Sequence, residues 1–299
     1  MKNPHAKLAT LLRDNPSIAV AYLDDLDNPK TLTIHDCSLP RFRNLTLGNK
    51  LHELEVRILE TNPLHILRCP VTLHESQNVN QECQDEPIYL GTQIQPSSAN
   101  WVGTAGAPVK WLDSARVPHW GILSNWHVLA DGDPRVGRTC HQPTTARRSI
   151  GTLAEWSGPD PAGESLIDAA LADALVDGRH TIDNEIIGLG DIGPTPIDAR
   201  VGLAVAKSGR TTGVTYAECT AVGASVRVGY GDFTAILADQ DIFESSSGTF
   251  SAAGDSGSII VEPVDNRPCS LLFAGGGNLT IGNAIRHVIA AFNLVFPFN

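Results

Sequence analysis

The chain has 299 residues, a formal net charge of −11, 42% hydrophobic residues and 6% aromatic ones. It is long enough to bury a sizeable core, and its Lys and Arg residues form no stripe of the kind a nucleic acid needs. The first residues lack the apolar centre of a secretory signal and no stretch is apolar enough to span a bilayer, so a cytoplasmic chain with no membrane partner is expected.

Gly and Pro, 27 and 19 of them, are spread along the whole length and favour many short strands over long helices. Residues 6–13 carry apolar positions at helical spacing and meet a stop at Asn15-Pro16. SIAVAYL (17–23) and KTLTIH (30–35) flank an acidic turn and predict a pair of strands. In 51–59, Leu54, Val56 and Ile58 alternate with charged neighbours as in a half-buried strand. The polar stretch 74–86 then suggests a boundary: a small N-terminal α/β subdomain over 1–88, able to serve a protein partner, and a main domain over 89–299. Beyond Tyr89, short apolar runs such as SIGTLAEW, VGLAVAK, AVGASVRV and FTAILA alternate with turn residues and predict a mainly β sandwich or barrel. NAIRHVIAAFNLV is apolar at helical spacing and predicts a closing helix over about 283–294. Six scattered cysteines without a CxxC pair are expected to be free thiols.

Three segments carry chemistry. His127 sits at the end of an apolar strand in SNWHVL, Asp168 lies among small apolar residues in IDAAL, and Ser256 occupies a glycine-bracketed turn in AGDSGS. A serine hydroxyl becomes a competent nucleophile when an imidazole takes its proton. The imidazole in turn needs a buried carboxylate to fix its tautomer and stabilise its charge. A carboxylate among Ile, Ala and Leu is buried and needs such a partner. Asp173, in ALADALV, is a second candidate for that carboxylate. Gly254 allows the tight turn that would aim the N–H groups of Gly254 and Ser256 at a developing oxyanion.

Other signals fail on context. Gly188–Gly193 fits GxGxxG, but Pro194 and Pro196 follow where a helix must start, so it reads as a connector. His52-Glu53 and His74-Glu75 lack the second histidine of a zinc-protease helix, having Val56 and Asn78 in its place. No metal and no cofactor are expected.

GDSGS (254–258), SNWHVL (124–129) and DAAL (168–171) resemble the serine, histidine and aspartate motifs of the chymotrypsin-like serine peptidases. GTAGAPV (103–109), KSGRTTG (207–213) and LLFAGGG (271–277) are similar to segments of an intracellular bacterial and plant-type branch of that family. The resemblance implies two six-stranded antiparallel β-barrels, over about 100–185 and 198–282, with His127 and Asp168 from the first and Ser256 from the second. It implies a serine endopeptidase acting on a protein or peptide substrate through an acyl-enzyme. A scaffold with low activity and an esterase are the other uses of the same residues. Thr249, Phe250 and Ser251 would line the pocket for the substrate side chain, with no acid to select Lys or Arg. Phe273, Ala274 and Gly275 would either pair with an extended substrate or form a flexible loop. Two departures from the family stand out: no cysteine neighbours His127 or Ser256, and no activation site offers a new N-terminus to pair with Asp255. What holds the turn around Ser256 is therefore open.

Overall fold

The computed structural model describes residues 3–37, 55–67, 69–70, 79–84, 87–176 and 179–296. Helix α1 (Pro4–Asp14) starts where the Asn3 side chain accepts from the Ala6 N–H, and ends where Asn15 N–H turns back to Leu11 O. Its buried Leu8, Leu11 and Leu12 pack on strands β1 (Ile18–Leu23) and β2 (Thr31–Asp36) through Ile18, Ala21, Leu32 and Ile34. Strands β1 and β2 pair antiparallel, and β3 (Glu55–Glu60) joins β2 in parallel. Leu54 and most of the polar stretch 74–86 lie outside the described residues. Three short strands follow: β4 (Leu64–Ile66), β5 (Cys69–Pro70) and β6 (Ile88–Leu90).

The first barrel uses β7 (Gln93–Pro96), β8 (Trp101–Thr104), β9 (Ala107–Leu112), β10 (Pro118–Ser124), β11 (Thr139–His141) and β12 (Ser149–Ser157). Beyond the two-residue strand β13 (Glu164–Ser165), β14 (Ala169–Asp173) completes it. Strand β8 runs through Ala105-Gly106 into β9 as one bent strand, and pairing then passes β9, β10, β14, β12, β11, β7 and back to β8. Counted that way, the ring has six strands. The bend needs Gly106, because a Cβ there would run into the backbone oxygen of Gly257 from the other barrel.

Two hairpins connect the barrels: β15 (Leu175–Val176) with β16 (Arg179–His180), and β17 (Ile182–Ile186) with β18 (Gly190–Asp191). Gly188 and Gly190, from the GxGxxG stretch, take positive φ in the second hairpin, where no helix starts.

The second barrel is closed by β19 (Ala204–Gly209), β20 (Gly213–Gly229), β21 (Thr234–Glu244), β22 (Ile259–Glu262), β23 (Arg267–Gly276) and β24 (Leu279–Ala284). Pairing runs β19, β20, β21, β24, β23, β22 and back to β19, again six strands. Closing helix α3 (Ile285–Phe292) drops Ile285, Val288 and Phe292 into a core shared by the two barrels, with Val109, Leu123 and Leu171 from the first and Ala206, Ile259 and Leu271 from the second. The N-terminal layer continues the second barrel's sheet, since Val20 and Ala21 of β1 pair with Val226 and Ser225 of β20. The architecture is mainly β, a trypsin-like double barrel with a C-terminal helix. Among the described residues no helix is long and apolar enough to cross a membrane. The six cysteines are free thiols, and burial pushes Cys140 and Cys219 up to about 12, which leaves them unreactive.

One buried acid in the second barrel gives a pH-dependent prediction. Burial pushes Asp241 up to about 7, although its carboxylate accepts from the Ser270 hydroxyl. Its folded pKa lies above the unfolded one, so the folded chain holds the extra proton and stability is lost as pH rises through 7. Asp241→Asn, which mimics the protonated acid, is expected to raise the melting temperature clearly more at pH 8 than at pH 5, the effect vanishing only below the unfolded pKa of about 4. Calorimetry at the two pH values checks this, and equal shifts at both would count against it.

Candidate active site

The histidine lies slightly beyond the strand expected to carry it. Strand β10 ends at Ser124, whose Oγ donates to Thr104 O at 2.8 Å, and Asn125 then starts a one-turn helix α2 (Trp126–Leu129) that presents His127. Asn125 Nδ2 donates to the Asp168 carbonyl at 2.8 Å, so the histidine and aspartate segments are tied before their side chains meet. The meeting is close: His127 Nδ1 lies 2.6 Å from Asp168 Oδ2, and His127 N–H donates to Oδ1 at 3.1 Å. Both side chains are fully buried. Asp173 takes a different partner, His119 Nδ1 at 2.8 Å.

The second barrel steadies the aspartate from behind. Asp168 N–H donates to Asn283 Oδ1 at 2.8 Å, and Asn283 Nδ2 donates to Gln240 Oε1 at 2.8 Å. Tyr230, at the end of the β20–β21 hairpin, sets its ring edge-on to His127 with centroids 6.1 Å apart. Burial, and then the Asp168 carboxylate, hold its phenol well above the ordinary value, so it stays neutral beside the His127–Asp168 contact.

Ser256 sits on the turn before β22. Gly254 takes φ 104, where a Cβ would collide with the Thr211 hydroxyl. Thr104 of the first barrel clamps this turn, its Oγ1 donating to Gly254 O and its N–H to Ser256 O, both at 2.8 Å. The support for Asp255 is internal. Its carboxylate accepts from Thr211 N–H at 2.8 Å, Thr212 Oγ1 at 2.7 Å and Ala252 N–H at 3.0 Å, and from Lys207 Nζ at 3.2 Å. Lys207 and Asp255 are both fully buried. Burial lowers the lysine's pKa, and the Asp255 carboxylate works against that shift. Lys207 thus does for Asp255 what a new N-terminus would do, and the KSGRTTG motif did not reveal this role because the pairing crosses 48 residues.

The amides of Gly254 and Ser256 converge on one oxygen, the carbonyl of Leu67, with Ser256 N at 3.4 Å from it. Ser256 Oγ donates to Phe273 O at 3.1 Å, while His127 Nε2 is buried with no hydrogen-bond partner among the described residues. Beside this point Thr249, Phe250, Ser251, Gly275 and Thr280 line a cavity of about 180 Å³ against Leu67. Phe250 is in the core against Phe243, and Ser251 Oγ lies 2.6 Å from Thr280 Oγ1. Phe273, Ala274 and Gly275 are ordered strand residues of β23, and Ala274 and Gly275 pair antiparallel with Ile66 and His65 of β4. The flexible-loop alternative for this stretch does not hold.

No protein-family model and no curated protein matches the sequence. The structure, however, is similar to a chymotrypsin from Cellulomonas bogoriensis, with 21% identity and TM-score 0.50 over 71% of this chain and 98% of that one. It is similar to protease A of Thermobifida fusca at 18% identity and TM-score 0.51, over 71% and 99% of the two chains. A Nocardiopsis protease matches at 17% identity and TM-score 0.51, again over 71% and 99%. The fold of this chain is that of the bacterial chymotrypsin-like serine proteases.

Proposed function

We propose that the protein is a serine endopeptidase in which Ser256 is the nucleophile, His127 the general base and Asp168 its orienter. The observation that carries the reading is the 2.6 Å contact of His127 Nδ1 with the buried Asp168 carboxylate, next to the turn that bears Ser256. Held that way, the imidazole carries its proton on Nδ1 and keeps Nε2 free to accept one. Ser256 Oγ, which donates to Phe273 O in the structure, would leave that carbonyl to give its proton to Nε2. Attack on a carbonyl seated at the Gly254 and Ser256 amides then gives an oxyanion held by two N–H donors, each typically worth about 3 kcal/mol in the transition state. His127 passes the proton to the leaving amine, and water releases the acyl group by the same steps in reverse. An edge strand that already pairs through Ala274 and Gly275 favours an extended peptide over a small ester as substrate.

The test is labelling with a fluorophosphonate, mapped by mass spectrometry. Attachment at Ser256, lost in Ser256→Ala and in His127→Ala, is the expected result. Well-folded protein that takes no label with its groove open would overturn the reading.

A further inference from the structure

Residues 64–67 lie in the groove that the proposed enzyme would use for its substrate. Ala274 pairs with Ile66 and Gly275 with His65 on one edge, while Val228 and Gly229 of β20 pair in parallel with Leu64 and His65 on the other. The register continues through Leu67 N–H, which donates to Phe273 O at 3.2 Å. Leu67 O then meets both amides of the proposed oxyanion site, and the Leu67 side chain closes the cavity lined by Thr249, Phe250 and Ser251. It packs in the same apolar cluster as Phe250. Main-chain pairing, a side chain at the border of the pocket and a carbonyl in the oxyanion position together specify one residue whose acyl group faces Ser256. Beyond the groove, Cys69 pairs with Val102 of the first barrel, so the chain crosses from one barrel to the other at the site.

Resting on the serine-peptidase reading, we infer that the protein cuts itself after Leu67. Ser256 Oγ adds to the Leu67 carbonyl carbon and its proton goes to His127 Nε2. His127 hands that proton to the amide nitrogen of Arg68, the C–N bond breaks, and Leu67 is left as an ester on Ser256. One water then hydrolyses the ester, giving a Leu67 carboxylate and a new amino terminus at Arg68. The pieces stay together, because β1 is built into the second barrel's sheet and α1 packs on it through Leu8 and Leu12. The same seat defines the preferred substrate as a peptide with an uncharged, leucine-sized residue before the cut. Among the described residues no acidic or basic side chain lines the cavity.

Intact-mass analysis of purified wild type over time, at concentrations spanning about a hundredfold, tests this against Ser256→Ala and Leu67→Asp. The expected result is two fragments, 1–67 and 68–299, that run together on native size exclusion and separate on a denaturing gel. Their rate of appearance is independent of concentration, because the cut is made within one molecule. Ser256→Ala stays whole, and Leu67→Asp, which puts an unpaired charge in an apolar pocket, is slowed by about 10²-fold or more. Fluorophosphonate labelling of Leu67→Asp reads the serine separately. If that variant labels at Ser256 while wild type stays in one piece or is cut elsewhere, self-cleavage after Leu67 is wrong and the peptidase reading stands. A rate that rises with concentration overturns the cut within one molecule. Wild type that stays whole, with no label on Leu67→Asp, overturns both.

Discussion

Asp168→Asn is expected to lower kcat by about 10⁴-fold, from the loss of the proposed orienting carboxylate. The new amide still offers an oxygen to the His127 N–H that now reaches Oδ1 at 3.1 Å, so the local backbone is preserved. Its NH2 group, turned to Nδ1, forces the imidazole to keep its proton on Nε2, and that nitrogen can then no longer accept from Ser256. The effect belongs in kcat on a peptide substrate, with the tautomer change read by nitrogen NMR of the imidazole. Asp173→Asn is the control, since its partner is His119 on the neighbouring strand β10 and not His127. Equal losses from the two substitutions would remove the basis for choosing between these aspartates.

Lys207→Met is expected to cost about 3–5 kcal/mol, because it leaves the Asp255 carboxylate buried without its cation. For a chain of this size that corresponds to a fall in melting temperature of roughly 5–8 °C. Methionine keeps the volume of the lysine stem, so the loss reports the charge and not a cavity. The three backbone N–H donors and the Thr212 hydroxyl remain on Asp255, and they cap the damage below that of a bare buried ion. Adding Asp255→Asn to Lys207→Met should cost less than the sum of the two single changes, the mark of a direct pair. Strict additivity in thermal unfolding would show that the two residues do not act together.

What could be read from the residues alone depended on how local each signal was. The apolar runs of β1, β2 and β12 and the alternation of Val56 and Ile58 in β3 are local signals, and the strands appeared where they lie. The preference for Asp168 over Asp173 came from the resemblance to a family motif, and the structure distinguishes the two by their histidine partners. Residues whose roles arise from pairing across the cleft had no such trace. Asn283 and Gln240 look like ordinary strand polars until they are seen behind the Asp168 N–H. Tyr230 reads as part of a turn, and only the barrel-to-barrel packing puts it against His127. The segment Leu64–Leu67 is a plain apolar run by composition, and its meaning lies entirely in the strand it borders. The continuity of β1 with β20 was hidden for the same reason, since no window of sequence spans both.

That continuity has a consequence for the order in which the chain can assemble. Val20 must wait for Val226, about 200 residues later, before the outer edge of β1 is covered, which is a long-range contact of the kind that slows folding. During synthesis the first strands therefore emerge long before their permanent neighbour and stand as a pairable edge until the second barrel exists. Segment 64–67 is in the same position, because Phe273 and both amides that receive it are made last. The bond after Leu67 consequently becomes susceptible only in a finished molecule. Truncation anywhere before β23 should yield chains that are intact at that bond, and truncation before β20 chains that are also prone to associate through the uncovered edge of β1.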